Sequence, residues 1–198
     1  IGLGVAVLII VMSVMNGFRT ELVNKIVGFN AHITIKPYSE KIEINDNKKQ
    51  VLEKFSSEFI LSNSGEAIII KNDISKGILL RGYNNKDFSK LKIVKDEKFI
   101  GDKDNFVKNN ISIGKELSFI LDLKIGDNIT LLSSSGVETI IGNLPRQKTF
   151  KVTSLYESGL IDFDSNIAFI NLNTLEEFFN LNINERNLEI YFKNPQNI

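Results

Sequence analysis

The hydrophobic residues divide the chain into an apolar beginning and a mixed remainder. Residues 1–15 carry no charge, and Ser13 is the one polar side chain among them. A helix that is apolar on every face is typical of lipid, because a 198-residue chain has no core large enough to surround it. At ~1.5 Å per residue, the segment reaches roughly 22 Å and falls short of the ~30 Å hydrocarbon layer. We therefore expect a transmembrane helix truncated at its cytoplasmic side. A signal-peptide core is the alternative, but the basic start and small-residue cleavage site are missing.

The helical period continues past this segment in amphipathic form. Phe18, Leu22 and Ile26 recur at helical spacing, and charged residues lie between them. Gly28 suits a C-terminal cap, so the pattern predicts that the helix leaves the membrane and ends there.

After residue 30, the hydrophobic pattern alternates between strand-like and helix-like spacing and predicts a mixed succession of strands and helices. Strands are predicted at 31–35, 66–70, 77–83, 128–132, 137–141, 150–156, 167–170 and 188–192. Helices are predicted at 46–60, 86–91, 112–122 and 175–181. A hairpin turn is predicted at 133–136, and a polar loop with a proline at 142–148. The pattern favours an α+β fold.

Composition excludes several functions. The chain has 24 basic and 24 acidic residues, so it offers no overall positive charge for nucleic acid. The absence of cysteine excludes disulfides, thiolate metal sites and a cysteine nucleophile.

Few residues offer chemistry. A lone histidine such as His32 is more often a packed or capping residue than a base or ligand. Gly114 and Lys115 match part of a phosphate loop, but the other residues of that motif are missing. Asp162 and Asp164 are interpreted as a solvated turn between strands. The sequence thus predicts no catalytic residue and no metal ligand, and a signal-anchored periplasmic enzyme is disfavoured.

Five blocks in order resemble a known family. They are SVMNGF (13–18), GFNAHITI (28–35), ILLRGYNN (78–85), ISIGKELSFILDLKIGDNITLLS (111–133) and NLPRQKTFKVTSLYESGLIDFDSNIAFINL (143–172). Together they resemble lipoprotein-releasing (Lol-type) ABC transporter permeases, the LolC/LolE family within the MacB/FtsX-like superfamily.

The resemblance implies a domain organisation. Residues 1–28 would be the end of the first transmembrane helix and its periplasmic extension, and 29–110 the first half of a membrane-proximal α/β part. Residues 111–172 would form a strand-rich distal subdomain with a protruding loop at 142–148. Residues 173–198 would return to the membrane-proximal part and be truncated there. The implied fold is a MacB-like periplasmic core domain.

The resemblance also implies a function. Such a membrane subunit releases lipoproteins from the Gram-negative inner membrane to a periplasmic carrier, by mechanical coupling to a cytoplasmic ATPase. It has no catalytic activity or cofactor of its own, since the partner binds ATP, and it pairs with a second permease copy or paralogue. Residues after about 20 would lie in the periplasm. The alternative is a related FtsX/MacB-type permease for efflux or cell-wall hydrolase activation.

Two groups of site residues follow from the resemblance. The carrier-docking loop would consist of Leu144, Pro145, Arg146, Gln147 and Lys148. Contacts to the lipoprotein acyl chains would come from Val11, Val14, Met15 and Phe18. Arg146 and Lys148 give the loop a local positive charge, which suits docking on an acidic or carbonyl-rich surface.

Overall fold

The computed structural model describes residues 2–38, 41–71, 74–104, 106–139 and 142–193. The first helix, α1, spans Gly2–Phe29 without interruption. Among the described residues, it is the one helix long and apolar enough to cross a membrane. The apolar segment and its amphipathic extension thus form one continuous helix, as the sequence predicts.

The remaining elements alternate between strands and short helices. In chain order they are β1 (Ile33–Ile35), α2 (Asp46–Phe55), β2 (Ser56–Lys71), β3 (Ile74–Tyr83), α3 (Asn85–Phe88), α4 (Lys92–Lys95), β4 (Ile100–Gly101), β5 (Asn110–Gly114), α5 (Lys115–Ile120), β6 (Asn128–Thr139), β7 (Gly142–Tyr156), α6 (Ile161–Asn166), β8 (Ile167–Asn171), α7 (Leu172–Phe179), a 3₁₀-helix (Ile183–Glu185) and β9 (Asn187–Phe192).

Six of the strands close into a barrel. The hydrogen-bonded neighbours follow the order β2, β3, β8, β5, β7 and β6, and β6 pairs again with β2. The β3–β8 and β5–β7 pairs are parallel, and the other pairs of the ring are antiparallel. Closure leaves the six strands with paired neighbours on both sides, which removes the open edges of a flat sheet.

The barrel interior holds the first hydrophobic core. Each of the six strands contributes two inward residues at alternate positions, as the period of a strand requires. They are Ala67, Ile69, Ile78, Leu80, Ile111, Ile113, Ile129, Leu131, Phe150, Val152, Ala168 and Ile170. Leu117 of α5 and Leu175, Phe178 and Phe179 of α7 belong to the same core.

A second core lies outside the barrel and is rich in aromatic rings. It contains Tyr83, Phe88, Phe99, Phe106, Tyr156, Phe163 and Phe169, together with Ile60, Leu91, Ile93 and Val94. The rings of Phe88 and Phe106 stack at 3.7 Å between centroids. Phe29, the last residue of α1, packs against this core and lies 6.4 Å from the Phe163 ring. The second core therefore connects α1 to the barrel.

A three-stranded extension joins α1 to the barrel. The first half of β2 pairs with β9, and β9 pairs with β1, both antiparallel. Ile33 and Ile35 of β1 remain 40% and 43% exposed at this end of the sheet. β2 belongs both to this extension and to the barrel, where it pairs with β6. The sheet therefore joins residues on both sides of the predicted boundary at residue 110. The division into four segments stays a prediction.

Two predicted helices are shorter than their apolar period suggests. The helix predicted at 46–60 ends at Phe55, because residues 56–62 pair with β9 and place Ile60 in the second core. The helix predicted at 112–122 begins only at Lys115, because residues 110–114 form β5 between β7 and β8. In both cases the helical spacing predicts the helix itself correctly, and strand pairing determines the conformation of the adjoining residues.

The solvated turn predicted around Asp162 and Asp164 is wrong for Asp164, whereas Asp162 is exposed. Residues 161–166 form α6, and Asp164 is only 4% exposed. Its carboxylate accepts the Ser158 backbone N–H at 2.9 and 3.1 Å. Burial raises the pKa of Asp164, although the hydrogen bonds from Ser158 oppose this shift. The carboxylate fixes the 157–160 turn and is not free for a ligand.

Candidate functional site: the hairpin arm and the helix end

The predicted docking segment lies in a long β-hairpin. β6 and β7 stay paired as far as Thr139 and Gly142, and residues 140–141 that join them lie outside the described part. The turn predicted at 133–136 is wrong, because this stretch is a bulge inside β6. Ser133 Oγ donates to Ser135 O, and Ser135 Oγ donates to Phe179 O at 3.0 Å. The bulge is therefore held on the end of α7.

Residues 142–148 form the first half of β7 and are a strand rather than a loop. We call them the hairpin arm. Leu144 is 51% exposed, and Pro145 and Gln147 are also exposed. Pro145 lies opposite Gly136 at the bulge, where a strand tolerates a residue without an N–H group. The arm thus presents an apolar side chain and an amide to solvent.

Arg146 and Lys148, the two basic residues of the arm, contact α7. Arg146 Nη1 donates to the Glu177 backbone oxygen at 2.7 Å, and Lys148 Nζ lies 3.7 Å from Glu177 Oε2. Burial lowers the pKa of Lys148, although the Glu177 carboxylate opposes this shift. Lys108 also lies 3.3 Å from the Glu177 carboxylate and lowers its pKa. The positive charge of the arm is therefore partly compensated within the chain.

The predicted acyl-contact residues lie on α1. Val11, Val14, Met15 and Phe18 are between 51% and 68% exposed. Their spacings of three and four residues place them on one face of the helix. The helix therefore offers a continuous apolar face, and its role in acyl contact stays a prediction.

Sequence reasoning missed a buried ionic cluster beside the end of α1. The Glu189 carboxylate accepts hydrogen bonds from Ser62 Oγ at 2.6 Å, Arg81 Nη2 at 3.0 Å and the hydroxyls of Tyr83 and Tyr191 at 2.9 Å each. Glu189 is 5% exposed. Burial raises the pKa of Glu189, but Arg81 and the hydrogen bonds outweigh this effect and hold the pKa below its usual value. An arginine inside the apolar segment ILLRGY was the available signal, since such a charge needs a partner.

The Gly114–Lys115 pair also has a structural role. A Cβ at position 114 would overlap the backbone oxygen of Asp164, so only glycine fits there. Lys115 Nζ lies 2.7 Å from Glu157 Oε2. The pair closes β5 against the 157–164 segment, and no phosphate loop is formed.

His32 is a capping residue, as its isolation in the sequence predicts. Its Nε2 lies 3.0 Å from the Val27 backbone oxygen in the last turn of α1. Its Nδ1 accepts the Phe192 backbone N–H at 2.7 Å. Among the described residues, no group of three or more metal-binding side chains is assembled.

The chain is similar to several proteins that carry the name LolC. A Xylella fastidiosa protein named lipoprotein-releasing system transmembrane protein LolC is 26% identical over 187 residues, which cover 91% of this chain and 45% of that protein. LolC of Neisseria meningitidis serogroup B is 25% identical over 209 residues, covering 100% of this chain and 48% of its own length. LolC of Buchnera aphidicola subsp. Schizaphis graminum is 29% identical over 187 residues, covering 93% of this chain and 46% of its own length.

The chain resembles LolC proteins over nearly its whole length. The resemblance to Lol-type permeases that the five sequence blocks indicate is thereby confirmed. The chain spans about half the length of the LolC relatives it matches. No protein-family model matches it.

The fold has a solved counterpart. The periplasmic region of MacB from Actinobacillus actinomycetemcomitans matches with a TM-score of 0.51, covering 80% of this chain and 72% of that chain. The sequences are 10% identical, so this likeness concerns the fold alone. It confirms the predicted α+β fold, which is similar to that of the MacB periplasmic region, and the apolar helix α1 precedes this fold.

Proposed function

We propose that the chain is part of the membrane subunit of a Lol-type ABC transporter in the Gram-negative inner membrane. The subunit releases lipoproteins and hands them to a periplasmic carrier, driven by a separate cytoplasmic ATPase that binds and hydrolyses ATP. A second permease copy or paralogue completes the transporter. The observation that carries this proposal is the similarity to LolC proteins across 91–100% of the chain, combined with a MacB-like fold.

The apolar face of α1 supports the proposed lipid contact. Val11, Val14, Met15 and Phe18 form one exposed stripe, and Leu22 and Ile26 continue it beyond the membrane-spanning part. Met15 is flexible and polarisable, which suits contact with acyl chains of variable conformation. We assign this face to the acyl chains of the lipoprotein. Residues after about 20 lie on the periplasmic side.

The hairpin arm supports the proposed carrier contact, but its residues are not equally available for it. Arg146 and Lys148 are engaged with α7, whereas Leu144, Pro145 and Gln147 face solvent. An exposed apolar side chain on a stiff strand is a suitable anchor for a protein partner. We assign the main contact to Leu144 and a supporting role to the two basic residues.

The test is carrier binding by the full-length permease with Leu144→Asp. A buried charge at an interface anchor weakens binding, and we expect a loss of at least about tenfold, equivalent to about 1.4 kcal/mol. Thr149→Asp is the matched control, because Thr149 is also exposed on β7 but lies beyond the arm. Binding is measured by immobilising the carrier and titrating detergent-solubilised permease.

Two results would contradict different parts of the proposal. Equal carrier binding by the wild type and Leu144→Asp would reject the assignment of the arm. A wild-type transporter that neither binds the carrier nor releases lipoprotein in the presence of ATP would reject the function itself.

A further inference from the structure

The end of α1 is capped by two side chains. The last carbonyl groups of a helix lack partners within the helix and need donors from elsewhere. Asn30 Nδ2 donates to the Ile26 oxygen at 3.4 Å. His32 Nε2 donates to the Val27 oxygen at 3.0 Å. Two consecutive carbonyls are therefore each bound by a side chain from the segment that follows the helix.

The same two side chains also contact the sheet. Arg81 Nη1 donates to Asn30 Oδ1 at 3.3 Å, and Arg81 belongs to β3 of the barrel. The Phe192 N–H donates to His32 Nδ1 at 2.7 Å, at the end of β9. Because a carbonyl only accepts and an N–H only donates, the imidazole of His32 carries its hydrogen on Nε2. Each side chain thus bridges α1 and the sheet.

The sheet side of both bridges is firmly fixed. Arg81 forms an ion pair with Glu189 at 3.0 Å, and the two side chains are only 12% and 7% exposed. The His32 ring stacks beside the Phe192 ring with centroids 6.2 Å apart. The backbone N–H of His32 donates to the Ile190 backbone oxygen at 3.0 Å. A movement of α1 would therefore act on side chains that are fixed to the sheet.

We propose that Asn30 and His32 are positioning residues that transmit motion between α1 and the periplasmic domain. Consecutive residues of a helix are about 100° apart around its axis. One bridge would let the helix turn about a single contact, whereas bridges at Ile26 and Val27 oppose both rotation and tilt. This inference rests on the proposed function, in which the domain moves with the membrane helices during the ATP cycle.

Two substitutions of His32 separate a bridge from an ordinary cap. The amide of asparagine reaches the place of Nδ1, so His32→Asn keeps a partner for the Phe192 N–H and loses the Val27 contact. Glutamine reaches the place of Nε2, so His32→Gln keeps the Val27 contact and loses Phe192. A bridge needs both contacts, and we expect either substitution to impair coupling.

The experiment uses the full-length permease assembled with its ATPase in nanodiscs, with a purified lipoprotein and the carrier. We measure ATP hydrolysis and lipoprotein release in parallel. For His32→Asn, His32→Gln and Asn30→Ala, we expect release per ATP hydrolysed to fall at least about fivefold, with ATP hydrolysis within about twofold of the wild type. Thr20→Ala is the control, because Thr20 Oγ1 donates to Asn16 O at 2.8 Å within the same helix and is exposed.

A structural readout accompanies the assay. Spin labels at Arg19→Cys and Thr149→Cys report the distance between α1 and the barrel, and these 198 residues contain no other cysteine. We expect a broader distance distribution in the three variants than in the wild type. Unchanged release per ATP in both His32 variants would overturn the inference. Impairment by His32→Asn alone would reduce His32 to a helix cap. A wild type that releases no lipoprotein would instead contradict the proposed function.

Discussion

At the scale of single residues, Glu189 is the most heavily bonded side chain described. It accepts from four side chains that come from β2, β3 and β9. Removing one partner of a buried ion pair leaves an uncompensated charge, at a cost of about 3–5 kcal/mol. We therefore expect Glu189→Gln to lower the thermal unfolding temperature of the purified protein, and Glu97→Gln at an exposed position to leave it unchanged.

The same carboxylate gives a pH dependence of known sign. The pKa of Glu189 is lower in the folded protein than its usual value of about 4.3. Its charged form therefore stabilises the fold above that value, and this contribution is lost as the pH falls through the lower, folded pKa. The difference in stability between the wild type and Glu189→Gln should be constant from pH 6 to 8 and shrink below about pH 4. A constant difference down to pH 3 would contradict this assignment.

Single residues were predictable from sequence only where their partners are near in the chain. The isolation of His32 predicts a packed or capping residue, and the capped carbonyl of Val27 is five residues away. Its second partner, the Phe192 N–H, is 160 residues away and was not predicted. The partners of Glu189 lie 106 to 127 residues away, apart from Tyr191. Asp164 was misread because its burial depends on β5, which lies about fifty residues earlier. Spacing along the chain carries no information about such contacts.

At the scale of elements, Gly114 fixes how β5 meets α6. A Cβ there would overlap the Asp164 backbone, which cannot rotate away as a side chain can. We expect Gly114→Ala to destabilise the protein by more than about 2 kcal/mol. The control is Gly77→Ala in β3, where a Cβ meets no atom within 4 Å. Chemical denaturation checks both, and equal midpoints would contradict the close approach.

The helices and strands whose hydrophobic period extends to the ends seen in the structure were predicted well. α1, β3, β8 and β9 lie close to their predicted bounds, because each ends at a turn residue or a change of period. The boundaries at Phe55 and Lys115 were missed because apolar spacing fits a helix and a strand equally over a few residues. The hairpin turn was misplaced because Ser133–Gly136 has turn composition but is held as a bulge by Phe179.

At the scale of the whole molecule, the two hydrophobic cores share four strands. β2 supplies Ile60 to the aromatic core and Ile69 to the barrel, and β3, β7 and β8 are divided in the same way. A strand cannot leave one core while it remains in the other. The two cores should therefore unfold in one cooperative step.

Leu131→Ala tests this cooperativity. Leu131 is fully buried in the barrel, and its truncation costs about 2–5 kcal/mol through lost contacts and a residual cavity. If the cores unfold together, the amides of Val94 and Phe88 in the aromatic core should exchange faster as well. A loss of 2 kcal/mol corresponds to about 30-fold where exchange requires global unfolding. Val51→Ala, at a 60% exposed position of α2, should leave these rates unchanged. Faster exchange confined to barrel amides would mean that the aromatic core is stable independently of the barrel. The packing of α1 against this core through Phe29 would then also be independent of the barrel.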